Sequence, residues 1–330
     1  RTNASHALSQ IVRLLPLDKS NNFEGRLHQI KEESVKRLAP LFEVTNIKQY
    51  PLTILPKAEL RSYQKTGINW LMFLIEYGLN GILADDMGLG KTLQTLTAMM
   101  QHPGLSLVVC PPAVVRHWDT EIEKYFPGAV RSPVYDNRVF TADMLKGIVI
   151  MSYSTVSKLA PQLARSVFKF CILDEGHLIR NSDTQLSRVI RTIKAEHRLL
   201  LTGTPIQNNS VELWGLFEFL MPGFLGSKEM FRRRYENVIQ KMFKDKATEK
   251  ETEAGQKALD RLHAQVLPFI LRRLKIDVLS DLPDKVYYEE DCILSDVQKR
   301  MYNEIVEASE YMHVEEVTES VFTKLKKERD

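Results

Sequence analysis

The chain has 330 residues, of which 44% are hydrophobic and 26% charged, and its 45 Lys and Arg against 42 Asp and Glu leave a net charge of +3. At about 150 residues per domain the length fits two globular units, or one large unit with an appendage, and the composition excludes a mainly disordered chain. No stretch approaches the roughly 20 apolar residues of a membrane-spanning helix, the N-terminus shows no charged-then-apolar signal pattern, and the charge balance is too even to prove a nucleic-acid partner.

Residues 1–55 read as helical. Leu8, Ile11, Val12 and Leu15 share one face, as do Leu27, Ile30, Leu38 and Leu41, and Pro16 and Pro40 interrupt the two patterns. Two short helices bury little alone, so this segment is expected to end a larger helical region, with the proline-bounded stretch Tyr50 to Pro56 as a linker. From residue 57 short apolar runs alternate with amphipathic stretches. Gly81–Ala84, Leu105–Cys110, Ile148–Met151, Phe170–Leu173 and Leu199–Leu201 predict strands buried on both faces. Thr92–Met100, Arg116–Phe126, Thr155–Ala164 and Leu186–Lys194 predict the helices between them. The expected fold class is α/β, a parallel sheet with right-handed crossovers and helices on both faces. Cys110 and Cys171 fall inside apolar runs and read as small core side chains; with Cys292 they form no CxxC pair, which points to a reducing compartment. The eight His show no zinc-binding spacing. Residues 225–285 read as helical and charged. There the basic run Arg232–Arg234 suits a solvated helix face or a nucleic-acid contact, and Glu249–Gln256 is polar enough for a mobile loop. A candidate strand, Val286 to Asp291, and a helix from Asp296 follow, in an acidic tail.

The strongest chemical signal is Asp85-Asp86-Met87-Gly88-Leu89-Gly90-Lys91-Thr92, between an apolar strand and a helix. In that setting backbone N–H groups of the turn and of the helix N-terminus converge on an anion. Gly88 and Gly90 permit the tight turn, Lys91 supplies charge to the terminal phosphates of a nucleotide, and Thr92 supplies a hydroxyl to Mg²⁺. Asp85 stands where GxxxxGK[ST] has its first glycine, and a plain glycine turn capping a helix is the competing reading. Asp174-Glu175-Gly176-His177 ends a second apolar run. A carboxylate there can hold Mg²⁺ through water, and its neighbour can polarise an attacking water. Alone the pair could simply begin a loop; beside a phosphate loop it reads as a Walker B element, with His177 ambiguous between a role there and a helix cap. Leu201-Thr202-Gly203-Thr204-Pro205 is a hydroxyl-rich turn after a strand, suited to sensing phosphate or touching a nucleic-acid backbone, or a simple turn. Gln64, in Leu60-Arg61-Ser62-Tyr63-Gln64, offers the donor and acceptor that an adenine edge requires. Trp70, Leu71 and Phe73 after it read as core.

In this order, the elements resemble a Swi/Snf-type DNA translocase of helicase superfamily two, over residues 57 to about 295. Gln64 falls on the family's adenine-reading motif, Asp85–Thr92 on motif I, and Cys110–Pro112 to Trp118 on motif Ia. Ser152-Tyr153-Ser154 falls on motif Ib, Asp174–His177 on motif II and Leu201–Asn209 on motif III. Leu213–Leu220 resembles the segment after motif III, and Leu271–Val278 with Leu282-Pro283 the approach to the second lobe. Asp86 and Gly176 depart from the family's usual DEMGLGKT and DEAH or DESH. That pairing resembles the subgroup that strips TATA-box-binding protein from promoter DNA, whose members carry HEAT-type helical repeats before the motor.

The resemblance implies a first RecA-like lobe at residues 56–285 with a helical insertion at 225–270, the start of a second lobe at 286–330, and the end of a repeat array at 1–55. It implies a DNA-stimulated ATPase using ATP and Mg²⁺. Lys91 and Glu175 would be catalytic, Gln64, Gly88, Gly90, Lys91 and Thr92 would bind nucleotide, Thr92 and Asp174 would hold the metal, and His177 would couple hydrolysis to motion. Ser152, Tyr153, Ser154, Thr202, Gly203 and Thr204 are its candidates for DNA backbone contacts. Double-stranded DNA and TATA-box-binding protein are the implied partners of a nuclear monomer with no membrane contact. No segment matches the second lobe's arginine-bearing motif. An arginine finger is worth about 10³–10⁵ in related phosphoryl transfers, so the lobe alone is expected to bind Mg·ATP weakly and hydrolyse it very slowly. Strand separation is not expected. Competing readings are a nucleotide-gated DNA- or protein-binding module, a phosphate-loop ATPase with no DNA role, and a chromatin remodeller acting on nucleosomes.

Overall fold

The apolar runs become strands in the computed structural model, which describes residues 47–135, 140–203, 210–244, 247–279, 288, 290 and 292–309. In chain order the elements are α1 (Ser62–Glu76), β1 (Gly81–Leu83), α2 (Lys91–Met100), β2 (Ser106–Cys110), α3 (Val115–Tyr125), β3 (Arg131–Val134), β4 (Ile148–Ser152), α4 (Tyr153–Leu163) and β5 (Val167–Asp174). There follow α5 (Gln185–Thr192), β6 (Lys194–Leu201), α6 (Ser210–Leu220), α7 (Lys228–Phe231), α8 (Asn237–Met242), α9 (Glu249–Val266), β7 (Ile270–Leu271), α10 (Lys275–Val278) and α11 (Asp296–Ser309). Among the described residues the strands form one sheet in the order β3-β4-β2-β5-β6-β1-β7, and every pairing is parallel. This is the expected α/β class. Strands β1, β2 and β4 are buried along their whole length, which is why their sequences run apolar without alternation.

The two edge strands carry no such signal. β3 reads Arg-Ser-Pro-Val, and Pro133 is tolerated because an edge strand leaves part of its ladder unpaired. β7 has two residues, too few for a pattern. Trp70, Leu71 and Phe73 are core residues of α1, as their spacing predicts. Cys110 and Cys171 are buried thiols, pushed up to about 12 by burial.

One expectation needs correction. Glu249–Gln256 is the start of helix α9, where a mobile loop was expected. Thr248 Oγ1 accepts from Glu251 N at 3.3 Å while the Glu251 carboxylate accepts from Thr248 N at 3.1 Å, a reciprocal cap that starts a polar helix. The buried face begins only at Gly255, so the first turns stay polar. The Tyr50–Pro56 stretch is irregular as a linker would be, but it is fastened down. Gln101 Oε1 accepts from Thr53 N at 2.8 Å, Gln101 Nε2 donates to Ile54 O at 2.8 Å, and Asn69 Oδ1 accepts from Tyr50 N at 3.0 Å.

Between α7 and α8 the residues Arg232–Glu236 form a turn of π-helix; Arg232, Arg233 and Arg234 are exposed there, and Arg232 Nε donates to Glu236 at 3.1 Å. The chain divides into two compact units after Ser280, with α11 in the second. No helix among the described residues is long and apolar enough to cross a membrane. The expected helices before residue 47, Thr204–Asn209, Leu282-Pro283 and most of the candidate strand Val286–Asp291 lie outside the described residues.

Candidate active site

Strand register brings three motifs to one edge. Leu201, the last residue of β6, pairs with Leu83 of β1 on one side and with Asp174 of β5 on the other. The loops that follow these strands leave the sheet side by side, with neighbouring strands about 4.8 Å apart. Gly203 closes on the phosphate loop: a Cβ there would stand 2.7 Å from Met87 Cγ and 3.5 Å from Lys91 Nζ. Thr202 is buried beside it, with its N–H donating to Leu83 O at 3.2 Å. Thr204 is outside the described residues.

The loop itself is a left-handed turn running into α2. Gly88 has φ of +85° and Gly90 of +76°, a region that residues with a Cβ resist. Lys91 opens α2 and folds back, its Nζ donating to Asp85 O at 2.7 Å and Asp86 O at 3.2 Å. Burial draws its ammonium below the ordinary lysine range, against the attraction of Asp85, Glu175, Asp174 and Asp86. Thr92 is half-buried in the same first turn. Gln64 is buried in α1, where Oε1 accepts from Arg61 N at 3.0 Å and Nε2 donates to Leu89 O at 3.3 Å. Both ends of its amide are engaged, and Nε2 braces the loop. Asp85, in the place of the motif's first glycine, is fully buried and paired with Arg273, whose Nε donates to Oδ1 at 2.9 Å and whose Nη2 donates to Oδ2.

Asp174 ends β5 with its carboxylate held from two sides. Trp118 Nε1 donates to Oδ2 at 2.8 Å and Glu175 N to Oδ1 at 3.0 Å. Burial pushes this carboxyl above the ordinary aspartate range, against the Trp118 hydrogen bond. Glu175 has φ of +52°, the one positive value among the described non-glycine residues, a strain costing on the order of 1 kcal/mol. Its Oε2 lies 3.1 Å from His177 Nδ1, yet both atoms are buried without a hydrogen bond. Gly176 is packed closely next to them, and a Cβ there would overlap Leu200 Cδ2. His177 lies in a short 3-10 turn, Gly176–Ile179.

The candidate DNA-contact residues separate. Ser152 is buried and caps α4, accepting from Thr155 N at 3.2 Å. Tyr153 is buried and its hydroxyl donates to Asp174 O at 2.7 Å. Ser154 is exposed. The spacing of motifs gave no sign that Trp118 and Tyr153 serve Asp174, or that Arg273 serves Asp85. An aspartate in a glycine position was the available hint, since a buried carboxylate requires a counter-charge.

These residues fit a magnesium nucleotide. The α2 N-terminus and the half-buried Lys91 ammonium suit phosphate oxygens. Asp174 and Thr92 offer hard oxygens, and Mg²⁺ takes one or two carboxylates with the rest from water and phosphate.

Comparison with known proteins agrees. The family model described as SNF2-related domain matches residues 63–329. The chain is 40% identical over 329 residues to TATA-binding protein-associated factor MOT1 of Saccharomyces cerevisiae, covering 92% of this chain and 18% of that protein. It is 38% identical over 348 residues to TATA-binding protein-associated factor 172 of Homo sapiens, covering 97% and 19%. It thus spans about a fifth of the length of these curated relatives. Among solved structures, the Sulfolobus solfataricus SWI2/SNF2 ATPase core in complex with dsDNA superposes with a TM-score of 0.61 at 30% identity, covering 85% of this chain and 60% of that one. Sequence match and sheet topology converge on one conclusion: the chain belongs to the SNF2-related domain family.

Proposed function

We propose that this chain is the first lobe of a nuclear motor that translocates on double-stranded DNA by hydrolysing ATP and so removes a bound protein, TATA-box-binding protein. The observation that carries the chemistry is the shared register of Leu83, Asp174 and Leu201, which sets a half-buried lysine, two carboxylates and a glycine turn along one edge. The names of the relatives at 37–40% identity support the protein partner, and a solved neighbour in complex with dsDNA supports the track.

Lys91 holds the terminal phosphates, exchanging its bonds to loop carbonyls for phosphate oxygens. The N–H groups of Gly88 to Thr92 cradle the same anion. Gln64 meets the adenine edge with its amide, which offers both donor and acceptor. Thr92 and Asp174 hold Mg²⁺, which when bound would neutralise phosphate charge. Glu175 orients the attacking water with the carboxylate oxygen that lacks a hydrogen bond. His177, 3.1 Å away, carries the state of that oxygen to the rest of the motor. Ser152 and Tyr153 are spent on the fold, so within this turn Ser154 and neighbouring backbone N–H groups contact the DNA backbone. Phosphate contacts position DNA without reading sequence. Residues 56–285 form the lobe, 286–330 begin a second, and 1–55 end a helical repeat array. The lobe alone turns over ATP slowly.

The test uses the full-length protein on a preformed complex of TATA-box-binding protein with duplex DNA. ATP should displace the protein and duplex DNA should stimulate turnover, with an effect that falls steeply with salt. Displacement by a nonhydrolysable analogue as well as by ATP would instead make this a nucleotide-gated binding module, and nucleosome sliding without displacement would make it a remodeller.

A further inference from the structure

The segment Leu271–Lys275 leaves β7 and runs along the phosphate loop. Ala84 N donates to Leu271 O at 2.7 Å, Asp86 N to Arg273 O at 3.0 Å, and Lys275 N to Asp86 Oδ2 at 3.0 Å. The pairing of β1 with β7 thus continues past the sheet into the loop. Lys275 also hangs over the loop's mouth, with Nζ 3.5 Å from where a Cβ on Gly88 would stand.

The guanidinium of Arg273 uses its donors in one buried cluster. Besides its two bonds to Asp85, Nη2 donates to Gln94 Oε1 at 2.7 Å and Nη1 donates to Tyr63 O. Gln94 Nε2 in turn donates to Asp85 Oδ2, Leu89 O and Gly90 O at 3.2, 3.2 and 3.3 Å. The carbonyls so held are those of the turn that must present its N–H groups to an anion. Room for the cluster comes from Gly67, because a Cβ on that helix residue would overlap Gln94 Oε1 and stand 2.7 Å from Arg273 Nη2.

We infer that Arg273 is a positioning residue for the nucleotide. Through Asp85 and Gln94 it holds the phosphate loop in its anion-binding shape, and it ties nucleotide occupancy to the stretch of chain leaving the sheet. The inference rests on the nucleotide site proposed above.

Deleting the guanidinium would leave Asp85 buried and unpaired, so Arg273→Ala tests folding more than positioning. Two milder variants separate the roles. Arg273→Lys keeps the charge and loses the planar fork. Gly67→Ala keeps both charges and favours the helix, and the atoms it meets are the tips of flexible side chains, so the cluster shifts and the backbone stays. In the full-length protein, both variants should melt within about 4 °C of the unsubstituted protein and bind a fluorescent ATP analogue with Mg²⁺ roughly tenfold more weakly. In the unsubstituted protein the analogue should slow amide exchange across residues 271–279, and in the variants it should not. Wild-type affinity and protection in both variants, with Lys91→Ala unable to bind, would overturn the inference. If Arg273→Lys fails to fold, Gly67→Ala decides alone. No binding by the unsubstituted protein would be a different result, removing the nucleotide site itself.

Discussion

The phosphate loop and the turn after β5 share one sheet edge and are built in opposite ways. In the loop nearly everything polar is satisfied: Asp85 is paired, Gln64 and Gln94 brace the carbonyls, and the left-handed positions are glycines. In the turn a glutamate occupies the left-handed position, two buried atoms lack hydrogen bonds, and the half-buried Asp174 carboxyl is pushed up. The contrast separates two tasks. A surface that binds a known charge is organised beforehand, whereas groups that must change partners during a reaction are left strained and unsatisfied.

Substitutions can break this contrast from either side. The largest effect is expected from Glu175→Gln, which keeps size and removes the charge. Turnover should fall by about 10²–10⁴ with nucleotide affinity nearly unchanged, as read by steady-state ATPase and equilibrium binding; retained turnover would take Glu175 out of its role. Next comes Trp118→Phe, which removes the donor to Asp174 Oδ2 and leaves an aromatic ring in place. Groups that orient a metal ligand are worth about 10–100-fold in activity or metal affinity. A Mg²⁺ titration of ATP turnover should show the loss, and an unchanged curve would show that Asp174 needs no such support.

Smaller effects concern stability. Gly176→Ala forces a methyl onto Leu200 and should cost about 1–3 kcal/mol in urea unfolding. Pairing it with Leu200→Val should return part of the loss. Asp174→Asn tests the pH dependence. Its folded pKa is raised, so the stability present below the ordinary aspartate value of 3.8 is lost as pH rises through the raised value. The asparagine variant should lack that decline, as measured by unfolding across pH without nucleotide.

Legibility in the sequence followed the same divide. β1, β2 and β4 are buried along their whole length and could be read directly, β5 and β6 only at their apolar ends because β6 opens with the polar, partly exposed Lys194–Arg198, and β3 and β7 lie at edges where few residues and mixed polarity suffice. The phosphate loop was readable because glycine geometry and a lysine at fixed spacing are local demands. Trp118, Tyr153 and Arg273 act on residues 56, 21 and 188 positions away, and no local pattern encodes such pairings. Glu249–Gln256 misled because its polarity reflects an exposed helix start, where a cap does the stabilising and burial begins a turn later.

The most direct measurement is a structure of the full-length protein with Mg²⁺ and a nonhydrolysable ATP analogue. The terminal phosphates should lie within about 3.2 Å of Lys91 Nζ and of N–H groups in the Gly88–Thr92 turn, with the metal facing Asp174. A nucleotide bound away from that turn, or Lys91 still bonded to Asp85 O and Asp86 O beside a bound nucleotide, would contradict it.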